Sequence, residues 1–411
     1  MNVPVPPPLH GLRIVECSLL GAAAITTSLA DLGAEVIKVE PPSGDYVREM
    51  TWPIVEGTSL LHLHINRGKR SVVLDLKSDG GRATLRDLAE HADVVVEAMR
   101  PGVLAKLGVG YDHLVAVNPS LVFCTMSGYG MTGPYKDLPS HGLAFDAWAG
   151  IIAPAHDAKG FCYAPEHVSI GMNAGPLFGA LGILAGVMRA RETGQGCQME
   201  LAQSDAAAAF DWYRSESWRA YERPASEVTG NPSDRHERRA PGTAGMREGV
   251  RYQMYDSADG HVLFMASEQV FWKNFCEGVD RTDLFERWPG TTYADHARNN
   301  HELQAELRTI FASRTSAEWI SFADHHDTAI APVNSPRTVT RDPQFLDRFD
   351  WLPADRLGAD QLGFPVKMID EEVVVPTRAP TAGQHTDDVL RDLLGYDEAR
   401  IAELRASGAL G

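Results

Sequence analysis

Over roughly its first 130 residues the chain alternates short apolar runs with helical stretches, and this rhythm constrains the fold more than any other feature. LRIVECS is followed by a small-residue helix over 22–32 and then by AEVIKVE, which makes a β-α-β unit. SVVLDLK, the amphipathic stretch 81–90, ADVVVEAM, a helix near 111–117 and LVFCTMSGYG continue the pattern. Strands separated in this way predict an α/β fold with a parallel sheet of Rossmann type, and its ligands belong beyond the carboxyl ends of the strands.

Further along, GMNAGPLFGALGILAGVMRARE predicts a long buried helix whose Ala and Gly let another backbone approach closely. The strand CQMELAQ and the Ala-rich helix SDAAAAFDWYRSESW follow. The stretch RHERRAPGTAGMREG has charges, Gly and Pro without periodicity, so it reads as a boundary or a lid. RYQMYDSADGHVLFMAS then gives two strands joined by a turn containing Asp-Gly, the start of a smaller α+β domain. The organisation expected is a large α/β domain over 1–224, a linker or lid over 225–248, the small domain over 249–324, and a return to the large domain over 325–411.

Composition narrows the partners. The 411 residues carry 38 basic and 55 acidic side chains, a formal net charge of -17, which argues against diffuse binding to nucleic acid or to an anionic membrane surface. No run of about 18 uncharged apolar residues is evident for a membrane span, and MNVPVPPPLHGLRIVE lacks the basic and apolar regions of a secretion signal. The five cysteines are odd in number and widely spaced, which fits neither a disulfide framework nor a metal knuckle, so a cytoplasmic protein is expected.

Several clusters carry possible chemistry. Arg67, Lys69, Arg70 and Lys77 surround one strand and are either a phosphate site or a solvated face. No GxGxxG follows the first strand and no P-loop or GxSxG elbow occurs. His62 and His64 would share one face of a strand, but no third ligand accompanies them, so no metal is expected. In PSHGLAFDAWAG, His141 precedes Asp146 by five residues, and a carboxylate among Phe145, Trp148 and Ala149 would be desolvated, either for acid-base or nucleophilic work or to complement a helix dipole. Asp205 reads as a helix cap, and Glu166 and His167 as polar loop residues.

LADLGAEVIKVEPPSGD, INRGKRSVVLDLK, ADVVVEAMRPGVLAKLGVGYD, CTMSGYGMTGP, ALGILAGVMRARETGQG and AGQHTDDVLRDLLGY occur in that order. Together they resemble the class III coenzyme A transferases, the carnitine-dehydratase and bile-acid-inducible family that also contains α-methylacyl-CoA racemases. The resemblance implies a Rossmann-type large domain, a small domain and two linkers through which two protomers thread as an interlocked dimer. It implies that coenzyme A, carried as acyl-CoA, lies against Leu20, Gly21, Leu74, Lys77, Ala98, Met99, Lys106 and Leu107.

The chain also departs from that family. Its transferases use an Asp to form a mixed anhydride and then an enzyme thioester, and counting back from GILA that position is Met172. The racemase branch uses a His-Asp dipeptide, and here Gly142 follows His141. Its later Asp falls again on Met172 or Gly171 and its Glu on Asp205. The Gly-rich loop of the transferases matches APGTAGM, 240–246, only in part. Three readings follow: a CoA-transferase moving CoA between an acyl-CoA and a carboxylic acid, with Asp146 as displaced nucleophile and His141 as polariser; a non-catalytic subunit paired with an Asp-bearing paralogue; and an acyl-CoA isomerase, racemase or lyase working by proton transfer. The assembly is a homodimer in the first case and a heterodimer in the second.

Overall fold

The computed structural model describes residues 5–230, 238, 246–291, 296–349, 351–369 and 374–410. Its contacts divide the chain into a larger unit, Met1–Trp212 with Phe349–Gly411, and a smaller one, Tyr213–Arg348.

The centre of the larger unit is a six-stranded sheet of β1 (Arg13–Cys17), β2 (Glu35–Glu40), β3 (Lys69–Val73), β4 (Val94–Glu97), β5 (Val122–Ser127) and β6 (Cys197–Ala202). The spatial order is β6-β5-β4-β1-β2-β3 and every pairing is parallel. This is the dinucleotide-fold order, which reverses between β1 and β4 and leaves a crevice at their carboxyl ends. Val94, Val95 and Val96 of β4 are all fully buried, as expected for a strand covered by helices on both faces.

The helices that matter for the site are α1 (Ala24–Asp31), α2 (Leu60–Ile65), α3 (Asp79–Glu90), α4 (Leu143–Trp148), α5 (Ile170–Thr193) and α6 (Gln203–Phe210). By length and composition α5 could cross a membrane, a property the residue pattern alone did not flag. Here it packs against α1, β5 and β6 through Gly171, Ala174, Gly175, Gly179, Ile183 and Gly186, as a core helix does. A Cβ at Gly186 would stand 2.9 Å from Met199 Cε and 3.0 Å from Val122 Cγ1, so the small residue sets how closely helix and sheet approach. The opposite side of α5 leaves Leu177, Leu181 and Met188 exposed, so the helix is only half buried.

The chain end returns to the larger unit. Val389, Leu390, Ile401 and Leu404 enter the core that contains Val15, Ile37 and Val72. Thr386 Oγ1 accepts from Val73 N at 3.1 Å and His385 Nδ1 from Ser71 N at 3.1 Å, which occupies the outer edge of β3 with side chains.

In the smaller unit β7 (Tyr252–Asp256) and β8 (His261–Met265) form the antiparallel hairpin expected around Asp259-Gly260. β9 (Ile330–Pro332) pairs antiparallel with β8, so this unit runs past residue 324 to Arg348 before the chain returns. Most of the linker segment 225–248, including 240–245 of the glycine-containing loop, lies outside the described residues.

Candidate active site

Of the eight positions that the resemblance gives to coenzyme A, six fall at the carboxyl ends of three strands. Leu20 and Gly21 follow β1, Leu74 and Lys77 follow β3, and Ala98 and Met99 follow β4. Lys106 and Leu107 end the short turn of helix that comes next. Parallel strands put these ends on one rim, beside the order reversal. Leu74 is buried in the core, so only its backbone can border a ligand, whereas the ammonium groups of Lys77 and Lys106 are exposed and suited to phosphates. Leu20 has φ +55, which costs a leucine about 1–2 kcal/mol, and Gly21 behind it is buried.

Three of the four basic residues around β3 are paired with carboxylates. Arg67 holds Asp31 through Nε and Nη2 at 2.9 and 2.6 Å, and Arg70 Nη1 holds Glu35 at 2.9 Å. Lys69 is fully buried on Glu16 at 2.8 Å, which leaves Lys77 as the exposed member of the four. Counting charges along one strand could not reveal this, because the acidic partners come from β1, β2 and α1.

Lys38 of β2 shares Glu16 with Lys69, at 3.3 Å, and also pairs with Asp45 at 3.1 Å. Burial pushes Glu16 up, but Lys69 and Lys38 together outweigh it and hold the carboxyl below its ordinary range. Burial lowers Lys69 to about 8, with only Glu16 close enough to oppose it strongly. Burial also acts on Lys38, yet Glu16, Asp45 and Glu40 around it raise its pKa.

Asp146 is buried, as its apolar neighbours led one to expect, but its carboxylate is committed. It accepts from Gly171 N at 2.7 Å, Ile170 N at 3.0 Å, Ser169 Oγ at 3.1 Å and His167 Nε2 at 3.2 Å. It therefore complements the start of α5, a different helix from its own, where unpaired N–H groups favour an anion. His141 is exposed one residue before Gly142. Asp205 is exposed in the first turn of α6 and is not its cap, because that helix begins already at Gln203, after Ala202.

Met172 stands in the second residue position after Ile170 at the same helix start, and it faces Gly142 and Gly21. A Cβ at Gly142 would lie 2.2 Å from Met172 Sδ, and one at Gly21 would lie 3.3 Å from Met172 Cε and 3.2 Å from Gln203 Oε1. Gly142 and Met172 are thus sterically coupled: the thioether occupies the space that a side chain at 142 would need. On β1 and β5 burial pushes the Cys17 and Cys124 thiols up to about 12, which keeps both protonated.

Four residues here were not identified as site residues from sequence. His167 reads in sequence as a polar loop residue and Ser169 carries no reading there, although a serine just before the long apolar helix that begins at Ile170 was the available signal. Gln203 has a buried side-chain oxygen without a hydrogen-bond partner. Glu97, at the end of β4, accepts from Thr125 Oγ1 at 2.9 Å and Met99 N at 3.2 Å, and burial raises its pKa. His62 and His64 lie on α2, where residues two apart diverge by about 200°. Among the described residues no group of three His, Cys, Asp or Glu is placed to hold a metal ion.

Comparison with known proteins agrees with this architecture. Succinyl-CoA:glutarate CoA-transferase of Mus musculus is 27% identical over 410 residues, covering 98% of this chain and 90% of that protein. The succinyl-CoA--L-malate CoA-transferase beta subunit of Chloroflexus aurantiacus is 28% identical over 423 residues, covering 97% of each. The crystal structure of Rv3272 from Mycobacterium tuberculosis superposes with a TM-score of 0.76 at 26% identity, covering 93% of this chain and 99% of that one. The profile of CoA-transferase family III matches residues 9–386, and the chain, with its parallel α/β core, belongs to that family.

Proposed function

We propose that the chain binds an acyl-CoA along the rim of β1, β3 and β4 and takes part in moving CoA between that thioester and a carboxylic acid. It does so as one half of an interlocked dimer whose covalent aspartate is carried by a paralogous chain. The observation behind this reading is the state of the two carboxylate positions. Residue 172 is a thioether, and all that Asp146 offers is already accepting hydrogen bonds at the start of α5.

In the family reaction an aspartate attacks the thioester carbonyl, giving a mixed anhydride and CoA thiolate. The thiolate then attacks the aspartyl carbonyl, which releases the first acid and leaves CoA on the enzyme. The incoming carboxylate reverses both steps. In this chain Lys77 and Lys106 would hold phosphates, the rim backbone the pantetheine, and exposed His141 would polarise the carbonyl. The same four donors on Asp146 leave the isomerase reading without its second acid-base group.

A second chain is supported by what remains uncovered. Leu177, Leu181 and Met188 of α5 are exposed, and the helix Trp212–Tyr221 buries none of its residues although it carries Trp212, Tyr213 and Trp218. Exposed apolar side chains on each helix are what a partner chain would cover. That one relative is named a beta subunit supports a heteromeric assembly, and five free cysteines suit a cytoplasmic location.

The test is the native mass of the protein purified from its own host, with bound CoA scored in the same spectrum and the acyl-enzyme trapped by hydroxylamine. A heterodimer whose homologous partner alone is labelled supports the proposal. A CoA-bearing homodimer labelled on this chain overturns it. Met172→Asp should in turn make this chain trappable, going from no adduct to a detectable one.

A further inference from the structure

The most polar part of the larger unit's interior lies under the turn that joins β1 to α1. Glu16, Lys38 and Lys69 stand on the adjacent strands β1, β2 and β3 and are fully buried. Each lysine also reaches a backbone carbonyl. Lys38 Nζ donates to Ser18 O at 2.7 Å and Lys69 Nζ to Ala23 O at 2.8 Å. The two carbonyls bracket Leu20, the left-handed leucine, and Gly21, the glycine against Met172 and Gln203.

Lys69 donates to Ala23 O, Glu16 Oε2 and Asn66 Oδ1, while Lys38 donates to Ser18 O and Glu16 Oε1 and forms an ion pair with Asp45 Oδ2 at 3.1 Å. The Thr26 hydroxyl donates to the same Glu16 oxygen as Lys69, which brings in α1. Buried ion networks rarely raise stability over apolar residues of the same volume, so four charges among buried valines and isoleucines call for another role. An ammonium on a long stem can engage a carboxylate and a carbonyl at once, which no apolar residue does.

We propose that Glu16, Lys38 and Lys69 are positioning residues: a buried ionic clamp that holds the 18–23 turn in its strained shape and so places Leu20 and Gly21 at the rim. The consequence for catalysis rests on the acyl-CoA reading given above; the clamp itself does not.

The test is the double variant E16Q/K69M in the full chain and its native assembly. It removes one charge of each sign and leaves Lys38 facing Asp45, so no unpaired charge is buried. The expected result is a folded protein in which the amides of residues 19–24 exchange about tenfold faster. The KM for the acyl-CoA should rise about tenfold with a smaller change in kcat, because a misplaced rim weakens substrate positioning. If this variant fails to fold, Lys38→Met/Asp45→Asn releases the Ser18 limb and is read in the same way. Parental amide exchange at 19–24 in a folded variant overturns the clamp. Failure of the unaltered protein to take up CoA in a titration would instead sink the rim reading, while amide exchange still decides the clamp.

Discussion

Around β1 the larger unit buries Glu16, Lys38, Lys69 and Asp45 in mutual contact, whereas the smaller unit fills its centre with rings. Phe264, Trp272, Phe275, Phe311 and Trp319 are fully buried there, with Phe264 and Phe275 centroids 4.6 Å apart and Phe275 and Phe311 5.4 Å apart. The two buried indoles donate to backbone carbonyls, Trp272 to Trp288 at 2.7 Å and Trp319 to Phe311 at 2.8 Å. The smaller unit is held by shape and area. The site side of the larger unit is held by specific partners, and it also carries a strained leucine and the paired Gly142 and Met172. Paired buried charges gather beneath the β1–α1 turn of the larger unit, whereas packed rings fill the interior of the smaller one.

The comparison can be broken most forcefully at Trp319. Trp319→Ala should cost about 3–5 kcal/mol in urea unfolding, since the site is enclosed and cannot collapse easily. Hydrogen exchange in β1–β4 should stay parental; a matching loss there would show that the two interiors are not distinct.

A smaller effect is expected at Asp146. Asp146→Ala should lower stability by about 2 kcal/mol, the order of a lost charged helix-start acceptor. The amides of Ile170 and Gly171 should lose protection while Asp146→Asn retains part of it. If transferase turnover were abolished with binding and stability unchanged, a chemical role for this carboxylate would replace the structural one.

The mildest test is acid. Because Glu16 has its pKa lowered in the folded state, its contribution is fully present above the ordinary carboxylate value of 4.5 and is lost as pH falls through the folded value. Unfolding midpoints followed from pH 5 to about 2 should therefore fall less steeply for Glu16→Gln than for the unaltered chain. Equal slopes would mean that the lysines do not hold Glu16 in its charged form.

Much of the fold was legible because its signals are local. The strand runs of β1 to β6, the long α5 and the Asp-Gly hairpin are each written in a dozen residues or so of periodicity and turn chemistry. The site was legible only in outline. INRGKRSVV looks like a phosphate-binding cluster because Asp31, Glu35 and Glu16, which neutralise Arg67, Arg70 and Lys69, are 35 to 53 residues away in the sequence. Asp146 looked available for chemistry because the start of α5, which claims it, is 24 residues further on.

From its sequence alone this protein determined an α/β chain of CoA-transferase family III, since apolar periodicity and ordered motifs survive without knowledge of any contact. Tertiary structure alone decided which charges are spent on one another, that Asp146 serves a helix, and that Gly142 and Met172 share one space. Those outcomes depend on which strands and helices become neighbours, and a charge, a carboxylate or a thioether acquires its role only from the groups that folding places within a few ångströms of it.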